Sequence, residues 1–168
     1  MAQVTLKGNP IRTSGTLPAI GSKAPDFRLV NKDLSDQSLK DYHGKRKIIS
    51  IVPSLDTSVC SISAKKFDEA IKSHPEVSVL VVSADSPFAQ KRFCSHEDAK
   101  NIVTLSMMRN KDFAEDYGVL IETGPLAGIC ARAIVVLDEK DHVIYTEQVP
   151  EITQEPNYDK ALEAVLRR

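Results

Sequence analysis

The hexapeptide Val77-Ser78-Val79-Leu80-Val81-Val82 constrains the fold more than any other stretch of the chain. It is nearly continuous in β-branched and apolar residues, without alternation between a wet and a dry side. A strand of that kind belongs in the middle of a sheet covered on both faces. Ala133-Ile134-Val135-Val136-Leu137 is a second such run, and Lys47-Ile48-Ile49-Ser50-Ile51-Val52 reads as a third buried strand. Between the strands the period changes. Val59, Ile62, Phe67, Ala70 and Ile71 recur at helical spacing. Ser86-Pro87 then opens a further helix, serine as N-cap and proline at the first helical position, running through Phe88, Gln90 and Phe93 toward Cys94.

Residues 102–105 read as another short strand, 111–117 as a short helix stopped at Gly118, and 124–128 as a loop. The polar turn Asp138-Glu139-Lys140-Asp141 leads into Val143-Ile144-Tyr145, which predicts an antiparallel hairpin with the Ala133 run. A closing amphipathic helix spans 158–166, with Ala161, Leu162, Val165 and Leu166 on its apolar face. At the other end, Val4 and Leu6, then Gly8-Asn9-Pro10, then Ile11 and Thr13 predict a short hairpin turning at Gly-Asn-Pro, an appendage within residues 1–15. Residues 15–25 connect it to a short strand, Phe27-Arg28-Leu29-Val30, and 34–42 form a loop with a helical turn. The expectation is one α/β domain over residues 1–168, a mixed central sheet flanked by helices. This order resembles a thioredoxin-like architecture.

A chain of 168 residues buries a sizeable core without disulfides or metals. With 42% apolar and 27% charged residues it has an ordinary globular composition, and no apolar run approaches the roughly 18 residues of a membrane helix. The formal net charge of −1, with both signs scattered, gives no electrostatic footprint for nucleic acid or an anionic membrane. The first ten residues lack a basic segment followed by an apolar one, so the expected location is the cytoplasm, with unusual export to the periplasm left open. Three cysteines, Cys60, Cys94 and Cys130, are odd in number and widely spaced, which argues against a secreted disulfide framework. Reactive thiols, a metal site or core packing remain.

Chemistry concentrates in Pro53-Ser54-Leu55-Asp56-Thr57-Ser58-Val59-Cys60, at a strand-to-helix junction. There Cys60 falls in the first helical turn, where unpaired N–H groups and the helix dipole favour an anion such as a thiolate. An ordinary cysteine is only about 3% thiolate at pH 7, and lowering its pKa by about two units takes roughly 2.7 kcal/mol. A helix terminus supplies up to about 2 kcal/mol when partly buried, so a cation or further hydrogen bonds must contribute. Thr57, three residues earlier, is placed to cap the helix or to donate toward the sulfur or its substrate. Pro53 ends the strand and shields the sulfur. Arg132 is the best candidate cation, since a charge at the mouth of a buried strand needs a reason, the alternative being a solvated strand end. Lys65, Lys66 and Arg92 fit exposed helix faces.

The octapeptide resembles the Pro-x-x-x-Thr-x-x-Cys motif of peroxiredoxins, and its Pro-Ser-x-Asp-Thr-x-Val-Cys form resembles the bacterial thiol peroxidase subfamily. The opening hairpin, the segment 21–27, Arg92-Phe93-Cys94, Arg109-Asn110, Tyr117-Gly118-Val119, Gly124-Pro125-Leu126 and Ala131-Arg132-Ala133 resemble that subfamily in the same order. The resemblance implies that Cys60 is the peroxidatic cysteine, with Pro53, Thr57 and Arg132 as activating neighbours, and that Cys94 is the resolving cysteine. It further implies hydrogen peroxide and organic hydroperoxides as substrates, an intramolecular disulfide reduced by thioredoxin, no cofactor, and a homodimer. If the two cysteines lie on different helices, local unwinding around both is expected, because a disulfide needs α-carbons within roughly 7 Å.

After Cys94 this chain reads Ser95-His96-Glu97-Asp98, where the family continues with a small residue and Ala-Glu-Gly. Cys130 has no family role; it reads as core filler, or as a thiol on the same strand face as Arg132 that forms mixed disulfides. Three rival readings are weaker. A disulfide oxidoreductase needs a second thiol where Thr57 stands. A zinc module using Cys60, Cys94, His96 and Cys130 lacks the usual ligand spacings. An inactive binding scaffold does not account for Pro53, Thr57, Cys60, Cys94 and Arg132 together.

Overall fold

In a computed structural model, residues 2–167 are described; Met1 and Arg168, the outer limits of the expected domain, lie outside them. The order is β1 (Gln3–Leu6), β2 (Asn9–Arg12), β3 (Leu29–Val30), β4 (Asp36–Gln37), a 3-10 turn (Leu39–Tyr42), β5 (Arg46–Ile51), α1 (Ser58–Ala70), β6 (Val77–Ser83), α2 (Pro87–His96), β7 (Val103–Ser106), α3 (Asp112–Asp116), β8 (Ala133–Leu137), β9 (Val143–Gln148) and α4 (Tyr158–Leu166). Seven strands form one mixed sheet in the order β4-β3-β7-β6-β5-β8-β9. β5, β6 and β7 run parallel; β8 joins β5 antiparallel and pairs with β9 in the expected hairpin. This is the thioredoxin-like fold with its N-terminal hairpin.

The unbroken apolar runs are explained by the two cores they separate. On β5 and just beyond it, Ile48 and Val52 face one cluster, while Ile49 and Ile51 face the other. On β6, Val79 and Val81 oppose Leu80 and Val82 in the same way. One cluster receives Cys60, Ala64, Phe67 and Ile71 from the α1 side and Ala161 and Val165 from α4. The other receives Phe27, Leu39, Phe113, Ala114 and Tyr117. Each fully buried aliphatic side chain contributes about 1.5–3 kcal/mol, so a polar substitution in β6 costs burial whichever face it occupies.

Two local expectations are corrected. The N-terminal hairpin turns at Lys7-Gly8, both at positive φ (50° and 83°), as a two-residue hairpin loop requires. Asn9 and Pro10 therefore belong to β2, where exposed Pro10 opposes Thr5. Second, β3 covers only Leu29–Val30 and is paired with β4, a polar edge strand without an apolar signature. The hairpin meets the body of the chain through bridges from Thr5 to Glu151 and from Thr13 to Ile121, and Val4 and Ile11 pack with Ile121, Ala131 and Ile152.

Candidate active site

The loops after the parallel strands β5 and β6 converge at the carboxyl ends of those strands, where open α/β sheets place their sites. Val52 and Pro53 are buried, and Val52 N–H still donates to the Val82 carbonyl at 3.0 Å. The chain then turns through Ser54-Leu55-Asp56 into α1. Thr57 is the N-cap: its hydroxyl oxygen accepts the Cys60 N–H at 3.4 Å, and its own proton goes to the Ser54 carbonyl at 3.0 Å. Of the two roles expected for Thr57, this structure displays capping; donation toward sulfur is not made here.

Cys60 is fully buried in the first turn of α1, and Arg132 is 2% exposed. The guanidinium Nη1 donates to Cys60 Sγ at 3.0 Å, while Nε donates to the Ile152 carbonyl at 2.9 Å. Strand alternation accounts for the meeting. Ile134 and Val136 lie on the α1 side of the sheet, Arg132 precedes Ile134 by two, and the pairing of Ile51 with Ala133 brings the start of β8 beside the end of β5. Arg132 is thus no solvated strand end. A buried guanidinium donates a charge-assisted hydrogen bond, about twice as strong as a neutral one.

Cys94 sits elsewhere. It is half-buried in the last turns of α2 and lines a cavity of about 670 Å³ with Lys91, Ser95, Asp98 and Thr104. A different cavity, about 430 Å³, adjoins the Cys60 turn, lined by Leu55, Thr57, Ser58 and Ser61, and by Ala89, Arg92, Phe93 and His96 of α2. At 100° per residue those two sets of α2 positions are opposite faces of one helix. Burial pushes the Cys94 thiol up, with a Thr104 hydrogen bond acting the other way. Cys94 is therefore anchored toward β7 and Cys60 toward β8, three strand spacings or about 14 Å apart in the sheet order. All three cysteines are free.

Cys130 lies in the core across the sheet from Cys60, its Sγ donating to Met107 Sδ at 3.5 Å, and burial alone pushes its thiol up to about 12. The backbone is not a continuous strand between Cys130 and Arg132, so the two side chains part to opposite faces and the shared face once expected for them is not formed. Among the described residues no group of three or more His, Cys, Asp or Glu gathers to hold a metal. Lys65 pairs with Glu97 at 3.1 Å and Lys66 with Glu155 at 3.7 Å, both on exposed surface, and Arg92 lines the cavity beside Thr57.

Asp85 is a participant that sequence reasoning missed. Its carboxylate accepts from Ser54 Oγ at 2.6 Å, Leu55 N–H at 2.7 Å and Ser83 Oγ at 2.8 Å, tying the loop before Cys60 to the end of β6. No local pattern announces it, since Ser-Ala-Asp-Ser-Pro reads as an ordinary helix approach. Asp68 of α1 was missed too. Its carboxylate accepts the N–H groups of Asn101 at 2.6 Å and Ile102 at 3.0 Å, fixing the chain just beyond α2.

A buried cysteine at a helix start, capped by threonine and held by an arginine from a neighbouring strand, on a thioredoxin-like sheet, defines the thiol-dependent redox class. The chain belongs to the redoxin family, whose model matches residues 19–162. It is 52% identical over 166 residues to a thiol peroxidase of Leptospira interrogans, covering 98% of this chain and 97% of the relative. Among solved structures, a peroxiredoxin-like protein from Aquifex aeolicus matches with a TM-score of 0.92 and 44% identity, covering 98% of this chain and 96% of that one. A thiol peroxidase from Chromobacterium violaceum matches with a TM-score of 0.89 and 26% identity over 96% and 93%.

Proposed function

We propose that this chain is a thiol peroxidase in which Cys60 is the peroxidatic and Cys94 the resolving cysteine. The observation that carries the reading is the buried contact of Arg132 Nη1 with Cys60 Sγ at 3.0 Å. Peroxide reaches Cys60 from the cavity beside Thr57 and Ser58. The thiolate attacks the terminal peroxide oxygen; the O–O bond breaks, and the departing hydroxide or alkoxide takes up a proton. Arg132 donates to the sulfur and stabilises the charge transferred to the leaving oxygen, with Thr57 released from Ser54 as a second donor. Pro53 closes the sulfur from bulk water. Cys60 becomes a sulfenic acid, and the Cys94 thiol condenses with it, losing water and forming a disulfide.

Hydrogen peroxide and organic hydroperoxides are the substrates in this reading, and a thioredoxin-class dithiol restores the two thiols. No cofactor takes part. A homodimer is supported by exposed Phe88 and Ile62 on the two cysteine-bearing helices, 69% and 44% accessible. A reducing, cytoplasmic setting is supported by three unpaired cysteines.

A thioredoxin-coupled turnover assay tests this. Cys60→Ser should abolish turnover, Cys94→Ser should allow one oxidation without efficient recycling, and Arg132→Met should slow the oxidation step by about 100-fold or more. Undiminished turnover in Cys60→Ser would overturn the reading.

A further inference from the structure

We propose that Asp85 is a positioning residue for the oxidation of Cys60, an inference that rests on the peroxidase reading above. The sheet order β6-β5-β8 sets the β5–α1 junction between two neighbours. From the β8 side Arg132 reaches Cys60 Sγ. From the β6 side Asp85, two residues past Ser83, reaches the junction itself through Ser54 Oγ and Leu55 N–H. Cys60 is braced from both sides, and only one brace touches sulfur.

The Asp85 brace reaches Cys60 by a short chain of hydrogen bonds. Asp85 fixes the Ser54-Leu55 peptide. The Ser54 carbonyl takes the Thr57 hydroxyl proton at 3.0 Å, which turns the Thr57 lone pair to the Cys60 N–H. The first turn of α1, and with it the direction of the Cys60 side chain, is therefore set by a carboxylate that lies beyond β6 in sequence. Asp85 is itself held firmly. Its N–H donates to Ser83 Oγ at 3.3 Å and its carbonyl accepts from Ser106 Oγ at 2.6 Å. Ser83 is joined by buried Gln90, whose amide donates to Ser83 Oγ at 3.0 Å and to the Leu105 carbonyl at 2.9 Å. The ends of β6 and β7 and the start of α2 thus form one rigid base for the loop. Displacing a reacting group by about 1 Å costs on the order of 100-fold in rate.

The rate of Cys60 oxidation by hydrogen peroxide, followed by sulfenic-acid trapping in a Cys94→Ser background, tests the proposal. Asp85→Ala should slow oxidation by about 10- to 100-fold. Asp85→Asn should recover part of that loss, because its amide oxygen still accepts from Leu55 and its NH2 group can donate to a serine. Val143→Ala, a truncation of a buried side chain paired with Leu137 at the end of the sheet opposite Cys60, should lower the melting temperature and leave the rate within about twofold of wild type. If Asp85→Ala does not fold, Asp85→Asn and Ser54→Ala carry the test, each with a measurable slowing. A rate in the folded Asp85 variants within twofold of wild type overturns the inference, as does a loss in Val143→Ala equal to that in Asp85→Ala. Absence of Cys60 oxidation in the Cys94→Ser parent would instead overturn the peroxidase reading.

Discussion

Cys60 and Cys130 show how position decides what one side chain does. Both are fully buried, yet Cys60 is met by a guanidinium and a helix terminus, whereas Cys130 meets Met107 and the surrounding hydrocarbon. With its thiol pushed up to about 12, Cys130 holds a negligible thiolate fraction at pH 8. Excess iodoacetamide at pH 8 should leave Cys130 unmodified in the native protein and label it once the chain is denatured; peptide mass spectrometry reads both states. Native labelling of Cys130 at a rate comparable to Cys94 would contradict its placement. Arg132 was legible because a charge beside five buried apolar residues needs a partner. Asp85 was not, because its partners lie thirty residues back in the chain.

Helix α2 is one of the two helices that the proposed disulfide requires to unwind. Its C-terminus is a Schellman cap: Ala99 N–H donates to the Cys94 carbonyl at 2.9 Å, and Asp98 takes the left-handed conformation at φ 54°. A residue with a Cβ pays a conformational penalty at that φ, which glycine would not. The α2 segment is also bounded, by Asp85 ahead of it and by the Asp68 clamp on Asn101 and Ile102 behind it, so the unwinding proposed around Cys94 falls within residues 86–100. Asp98→Gly should stabilise the closed α2 by about 0.5–1 kcal/mol. Disulfide formation after a peroxide pulse should then slow about two- to fivefold, with the preceding oxidation of Cys60 unchanged. Stopped-flow fluorescence or quenched-flow alkylation separates the two steps, and an unchanged disulfide rate would show that Asp98 does not govern opening. The departure Ser95-His96-Glu97-Asp98 was plain in the sequence; its backbone consequence needed the φ angle.

Across the molecule, the sheet brings together what the chain keeps apart. Cys60 and Arg132 are 72 residues distant in sequence and in contact in space. The antiparallel insertion of β8 beside parallel β5 is what achieves this. Buried runs identified β5, β6 and β8 as central strands, and the helical spacing identified α1 and α4. β4 escaped notice because a two-residue polar edge strand has no pattern to read, and the spatial order of the strands was not read from the sequence, since periodicity marks a strand without naming its neighbours. The same sheet holds Cys60 and Cys94 toward strands about 14 Å apart, so the proposed disulfide requires local unwinding around both cysteines for them to meet. Peptide mapping under nonreducing conditions after one equivalent of hydrogen peroxide measures this most directly. The account predicts a Cys60–Cys94 disulfide within one chain, with Cys130 still reduced. Oxidation that bypasses Cys60, or a Cys60 disulfide to any thiol other than Cys94, would contradict it.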